Sequence, residues 1–192
     1  MCMKINWNTP ILQNTSIFQN TPKSKSEQSM KELRDHIIER NDLKIKKQWK
    51  ELESSDDLHE SLQICSKIKN LDPDDSRLYL HMARIHVELK EYSHANDFFL
   101  TSIEKEKQVT LDPLIEYSEF LIDNNRHAES LDYCERVLEK DSNNIDAHHT
   151  KSKIYLETGQ FPLALELVEY VLEREKNNVR ALFTKSMVLR AL

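Results

Sequence analysis

The sequence predicts an all-α fold, an α-α superhelix of stacked helix pairs, with a flexible polar segment at its N-terminus. Three observations carry this expectation. The 192 residues include one glycine and five prolines, too few for the turns of a hairpin-built sheet. Apolar residues recur at helical intervals along most of the chain. Small and large side chains also return in register every 34 to 35 residues, a period typical of stacked supersecondary units.

Residues 1–29 are rich in Asn, Thr, Ser, Gln and Lys, and hold too little periodic hydrophobicity to build a core. Within them ILQNT at 11–15 echoes IFQNT at 17–21. Residues 30–41 are predicted as an N-terminal helix: Ser29 and Glu32 have capping-box spacing, and Met30, Leu33 and Ile37 share a face. Asn41-Asp42 is expected to interrupt it. A first, degenerate unit over 42–75 follows, with Ile45, Trp49 and Leu52 on one face before the polar break ESSDD.

The units after it are 76–110, 111–144 and 145–178, with 179–192 an incomplete unit or terminal helix. First helices repeat a small residue at Ala83, Ser118, Ser152 and Ser186, and second helices at Ser61, Ala95, Ser130 and Ala164. Larger residues keep step: Tyr79, Leu114, His148 and Leu182; Leu58, Tyr92, His127 and Phe161; Cys65, Phe99, Cys134 and Val168. A helix pair of this length cannot bury its apolar face alone, so it stacks on the next copy, and small residues let crossing helices approach. Pro113 and Pro162 suit first helical turns, and Gly159 lies where a helix pair must reverse.

The segment Ile145 to Asn178, IDAHHTKSKIYLETGQFPLALELVEYVLEREKNN, resembles a tetratricopeptide repeat (TPR), with Ser152, Tyr155, Gly159, Phe161 and Ala164 in the family's columns. Residues 76–109 and 111–144 resemble it more loosely, and 42–75 more loosely still, with Trp49 where a small residue is expected. The resemblance implies a non-catalytic module that binds a protein or peptide in a concave groove lined by first helices, as an adaptor or assembly factor. The alternatives are a dedicated chaperone for an apolar client segment and a regulatory fragment of a larger enzyme.

By the same resemblance Leu80, Ile115, His149 and Phe183 form one groove row, and Val87, Ile122 and Leu156 a second. Arg84, Glu119 and Lys153 flank them, with Arg77, Asp112, Asp146 and Arg180. The Lys, Asn and Arg clamp with which one TPR subclass holds acidic chaperone C-termini is absent: its places hold Leu80, Arg84, Glu116, Asp146 and Thr150.

Other chemistry is disfavoured. A single glycine leaves no P-loop, dinucleotide fingerprint or nucleophile elbow, and neither a catalytic residue nor a cofactor is expected. His148-His149 and His59-Glu60 lack the spacing of a zinc helix, so no metal site is assigned. Cys65 and Cys134 share a column with Phe99 and Val168 and read as small buried hydrophobes. A net charge of -6 with interspersed lysines and arginines argues against nucleic acid. No apolar run reaches the roughly 20 residues of a membrane span, and no signal-peptide pattern opens the chain. A cytoplasmic location is expected.

The stretch VRALFTKSMVLRAL closes the sequence as one helix. Leu182, Ser186 and Leu189 are expected to face the preceding unit, leaving Ala181, Phe183, Met187, Val188 and Leu192 on outer faces. That surface is assigned to self-association as a homodimer, to a partner, or to further chain.

Overall fold

The computed structural model describes residues 25–106 and 110–192, and these form nine α-helices: α1 Lys25–Glu53, α2 Leu58–Leu71, α3 Ser76–Glu88, α4 Tyr92–Lys105, α5 Asp112–Asp123, α6 His127–Lys140, α7 Ile145–Glu157, α8 Phe161–Arg174 and α9 Val179–Ala191. The expected flexible segment lies mostly outside the described residues. The chain divides into two units, residues 1–46 and 47–192.

In the first unit, α1 departs from expectation at both ends of the predicted 30–41 helix. It begins by Lys25, so Ser29 lies inside the helix rather than capping it, and it runs through Asn41-Asp42 without a break. Asn and Asp cost only a few tenths of a kcal/mol each in a helix interior, and no Gly or Pro accompanies them. Met30, Leu33, Ile37, Ile38 and Leu43 are exposed along this part of α1.

In the second unit α3 packs on α4, α5 on α6 and α7 on α8, and each pair meets the next. Short polar side chains start several helices: Asp57 accepts from the amides of His59 and Glu60, Asp75 from Arg77, Asn144 from Ala147 and Asn178 from Ala181. The turn inside each pair is one motif used three times. Lys90, Asn125 and Gly159 hold φ values of 61°, 60° and 76°. The next amide closes back onto His86, Leu121 and Tyr155 respectively, at 2.9, 2.8 and 2.7 Å. This is the left-handed helix stop that glycine adopts without strain and that Asn and Lys adopt at modest cost.

The small columns meet where each first helix crosses its own second helix. Ala83 clusters with Ala95 and Phe99, and Ser130 Oγ donates to the Ser118 carbonyl at 2.6 Å. A further pair of columns faces the preceding unit. Leu78, Met82 and Ile85 pack on Ile64, Cys65 and Ile68 of α2, Phe120 on Phe99 of α4, and Ile154 on Cys134 of α6. Trp49, the outlier of its column, lies edge-on to His81 with ring centroids 6.2 Å apart, and carries the Arg77 guanidinium over its ring. Its bulk is thus absorbed against α3.

The face that α9 turns to the preceding unit is not the one expected. Ala181 and Val188 are the equivalents of Ala147 and Ile154, and they are buried on the preceding unit together with Thr184. Leu182, Ser186 and Leu189 occupy positions that elsewhere face a unit's own second helix, and among the described residues no such helix lies beside α9, so they are exposed. Ala181 and Val188, both assigned from the sequence to outer faces, are 0% exposed, whereas Phe183 and Leu192 are each 67% exposed as expected and Met187 is half-buried.

Candidate functional site

The first helices α5, α7 and α9 lie against one another in succession, so a residue row running across them falls partly into the seams. Leu80 is 6% exposed and packs with Tyr117 and Phe120 of α5, and Ile115 is half-buried beside Leu114 and Ala147. His149 is 3% exposed. Only Phe183, with no further first helix against it among the described residues, stands open. In the second row Ile122 is 2% exposed, packed with Cys134 and Ile154, while Val87 and Leu156 are half-buried.

Leu80, Ile122 and His149 are therefore packing residues rather than a free groove lining. The repeat period places them on the right helix, but a neighbouring helix covers them. The accessible apolar members of the face are Val87, Ile115, Leu156 and Phe183.

Charges bind the same face across repeats. Arg84 Nε donates to Glu116 Oε2 at 2.7 Å, and this hydrogen bond raises the guanidinium pKa. Arg180 bridges Asp146 at 3.3 Å and also pairs with Glu119, reaching from α9 past α7 to α5. Lys153 lies 3.9 Å from Asp123. Pairs this exposed contribute at most about 1 kcal/mol each; their larger effect is to alternate the sign of charge along the face. Sequence reasoning names both sides of the Arg180 pairs but only Arg84 and Lys153 of the other two, missing Glu116 and Asp123 as partners, although opposite charges on successive first helices are a usable signal.

His149 has a specific protonation state. The Thr184 hydroxyl donates to the Arg180 carbonyl at 3.0 Å, so its oxygen accepts from His149 Nε2–H at 3.2 Å. Nδ1 is left buried and without a partner. Burial, reinforced by the neighbouring Arg180 charge, pushes the imidazole pKa down to about 4.

Because the folded value lies below the ordinary value of about 6.5, the unfolded chain binds the extra proton first as pH falls, and stability declines from that pH downward. Through His149 alone we expect a loss of about 2 kcal/mol between pH 7 and pH 5, or roughly 4–8 °C in melting temperature. Melts of wild type and His149→Gln at both pH values measure it. Equal pH slopes in the two proteins would reject the assignment.

The adjacent His148 points elsewhere: its Nε2 meets the Ser142 carbonyl at 3.0 Å and its ring lies 4.2 Å from that of Tyr170. Cys65 and Cys134 are fully buried, and burial raises each thiol to about 11, as their shared column with Phe99 and Val168 suggests. A cleft of about 410 Å³ that the sequence did not reveal lies between the starts of α3 and α5, lined by Asp72, Asp75, Arg77, Lys105, Thr110 and Asp112 among others. Its cations are engaged by Asp75 and Asp74 at 2.7 and 2.6 Å.

These features define a helical-repeat protein whose first helices present a mixed apolar and charged face. Residues 121–185 match the tetratricopeptide repeat model, so that stretch carries repeat sequence of this type. Its fold is similar to that of PilW, a widely conserved type IV pilus biogenesis factor, at 22% identity and TM-score 0.66 over 78% of this chain and 70% of that one. It is also similar to YrrB, a TPR protein with an unusual peptide-binding site, at 18% identity and TM-score 0.51 over 70% and 77% of the two chains. A third likeness is to the first TPR of Spaghetti (RPAP3) bound to an HSP90 peptide, at 14% identity and TM-score 0.55 over 62% and 94%. At these identities the likeness is one of fold. Among curated proteins no sequence matches this chain.

Proposed function

We propose that this protein is a non-catalytic interaction module, an adaptor or assembly factor, that holds a segment of a partner protein along its first helices. The observation that carries the reading is the accessible set Val87, Ile115, Leu156 and Phe183, set among paired charges of alternating sign on one helix layer. Such a surface suits an amphipathic segment with two or three apolar anchors, whose polar groups exchange with the existing ion pairs. An acidic C-terminal peptide suits it poorly, because Glu116 and Asp146 stand in two of the clamp places and Arg84 is already engaged by Glu116. The balanced charge likewise disfavours a phosphate backbone, and none of the described helices is long and apolar enough to cross a membrane. A cytoplasmic location is part of the proposal and rests on the sequence pattern alone.

The test is affinity capture from a native lysate with mass spectrometry, followed by titration of the captured partner. Leu156→Glu and Phe183→Glu are expected to weaken binding at least roughly 30-fold each, the loss of an anchor contributing about 2 kcal/mol, with unchanged helicity. Leu80→Glu and Ile122→Glu are unsuitable probes, since a carboxylate at either buried position would unfold the array before it reported on binding. Undiminished affinity in both Leu156→Glu and Phe183→Glu would move the binding surface off this helix layer.

The exposed apolar residues of α9 support a second reading, in which Leu182, Phe183, Leu189 and Leu192 cover the same residues of a second copy or an apolar client segment.

A further inference from the structure

Outside that surface, the turn between α3 and α4 brings together three groups of metal-ligand type. His86 comes from the last turn of α3, Glu91 from the residue just before α4 and His94 from the first turn of α4. The left-handed Lys90 reverses the chain between them. His86 Nδ1 lies 2.7 Å from Glu91 Oε2, His94 Nδ1 lies 3.4 Å from the same oxygen, and all three ligand atoms fall within 4.8 Å of one another. Each residue presents one such atom.

We propose that His86, Glu91 and His94 form a zinc site that pins this helix pair across its turn. Tetrahedral zinc holds nitrogen and oxygen ligands at about 2.0–2.2 Å, which sets neighbouring ligand atoms about 3.3 Å apart. The observed separations bracket that value, so side-chain rotations suffice. Two neutral imidazoles and a carboxylate suit zinc rather than magnesium, which prefers oxygen ligands.

The His86 ring is stacked on Phe98 at 5.0 Å between centroids, which holds its orientation. The Glu91 side chain makes no capping hydrogen bond to α4 and turns to the two imidazoles, whose hydrogen bonds lower its carboxyl pKa. The equivalent places in the next two units argue against a general architectural role. They hold Leu121, Arg126 and Glu129, with Arg126 and Glu129 forming an ion pair, and then Tyr155, Gln160 and Leu163. Only the unit with α3 and α4 carries three ligand types there. Three protein ligands leave one zinc position for water or for a side chain of a partner. The His-x4-Glu-x2-His spacing is legible in the sequence, but a search for adjacent histidines or a single-helix motif passes over it.

The test is calorimetric titration of the full chain with zinc chloride at neutral pH, alongside thermal melts with zinc and with magnesium. Wild type is expected to bind one zinc ion at this site and to melt about 5 °C or more higher at a hundredfold excess over Kd, with no comparable rise in magnesium. His94→Ala and Glu91→Gln, both exposed substitutions, should weaken binding at least roughly tenfold each, whereas His148→Ala should leave it unchanged. Absence of one-to-one binding by wild type, or equal affinity in His94→Ala and Glu91→Gln to that of wild type, would overturn the assignment.

Discussion

Replacing Ala164 by leucine is expected to lower the melting temperature by about 2–12 °C. Ala164 is 0% exposed and belongs to the second-helix column Ser61, Ala95, Ser130 and Ala164, every member of which is buried. In the preceding unit the equivalent Ser130 touches the backbone of its own first helix, its hydroxyl 2.6 Å from the Ser118 carbonyl. At this crossing there is no room for a branched side chain unless α7 and α8 separate. Overpacking of this kind typically costs 1–3 kcal/mol, and for a domain near this size each kcal/mol is roughly 2–4 °C. Because α8 also contacts α9, the displacement should loosen the last helix as well. Thermal melts by circular dichroism measure it. A silent Ala164→Leu would mean that the small columns do not mark helix crossings.

A second large effect should separate the two faces of α9. Val188→Glu puts a carboxylate at a 0% exposed position facing the preceding unit, where neither ionised nor protonated glutamate finds a partner, at a cost of about 3–5 kcal/mol. The expected result is loss of α9 from the folded array, with fast amide exchange over Val179–Ala191 and a correspondingly lower helical signal. Phe183→Glu combined with Leu192→Glu changes only residues that are 67% exposed, and should leave the melt within about 0.5 kcal/mol of wild type. Light scattering from low to high micromolar concentration then tests the second reading on a folded protein: any wild-type dimer should dissociate in this double variant. If Val188→Glu melted like wild type, α9 would have to pack on the preceding unit by another face. A monomeric wild type at all concentrations would remove self-association from its outer face.

The sequence by itself determined the all-α class, the repeat period, the small columns at the helix crossings, the turn position of Gly159 and the buried character of Cys65 and Cys134. All of these are local or periodic properties. A residue type that must recur every 34 to 35 positions to let helices stack is visible without knowing how they stack.

What only the tertiary structure decided is which face of each first helix is covered, and by what. Tyr79, Leu114, His148 and Leu182 form a column as regular as Ile85, Phe120, Ile154 and Val188, yet the first turns toward a unit's own second helix and the second toward the preceding unit. Periodicity cannot tell these directions apart where a second helix is lacking, so it exchanges Leu182 and Val188. Leu80, Ile122 and His149 read as groove lining for a related reason: one helix shows an apolar stripe, but the next helix determines whether water reaches it. The cross-repeat ion pairs, the unprotonated Nδ1 of His149 and the meeting of His86, Glu91 and His94 depend on distances between helices, which only stacking and the left-handed turn at Lys90 set.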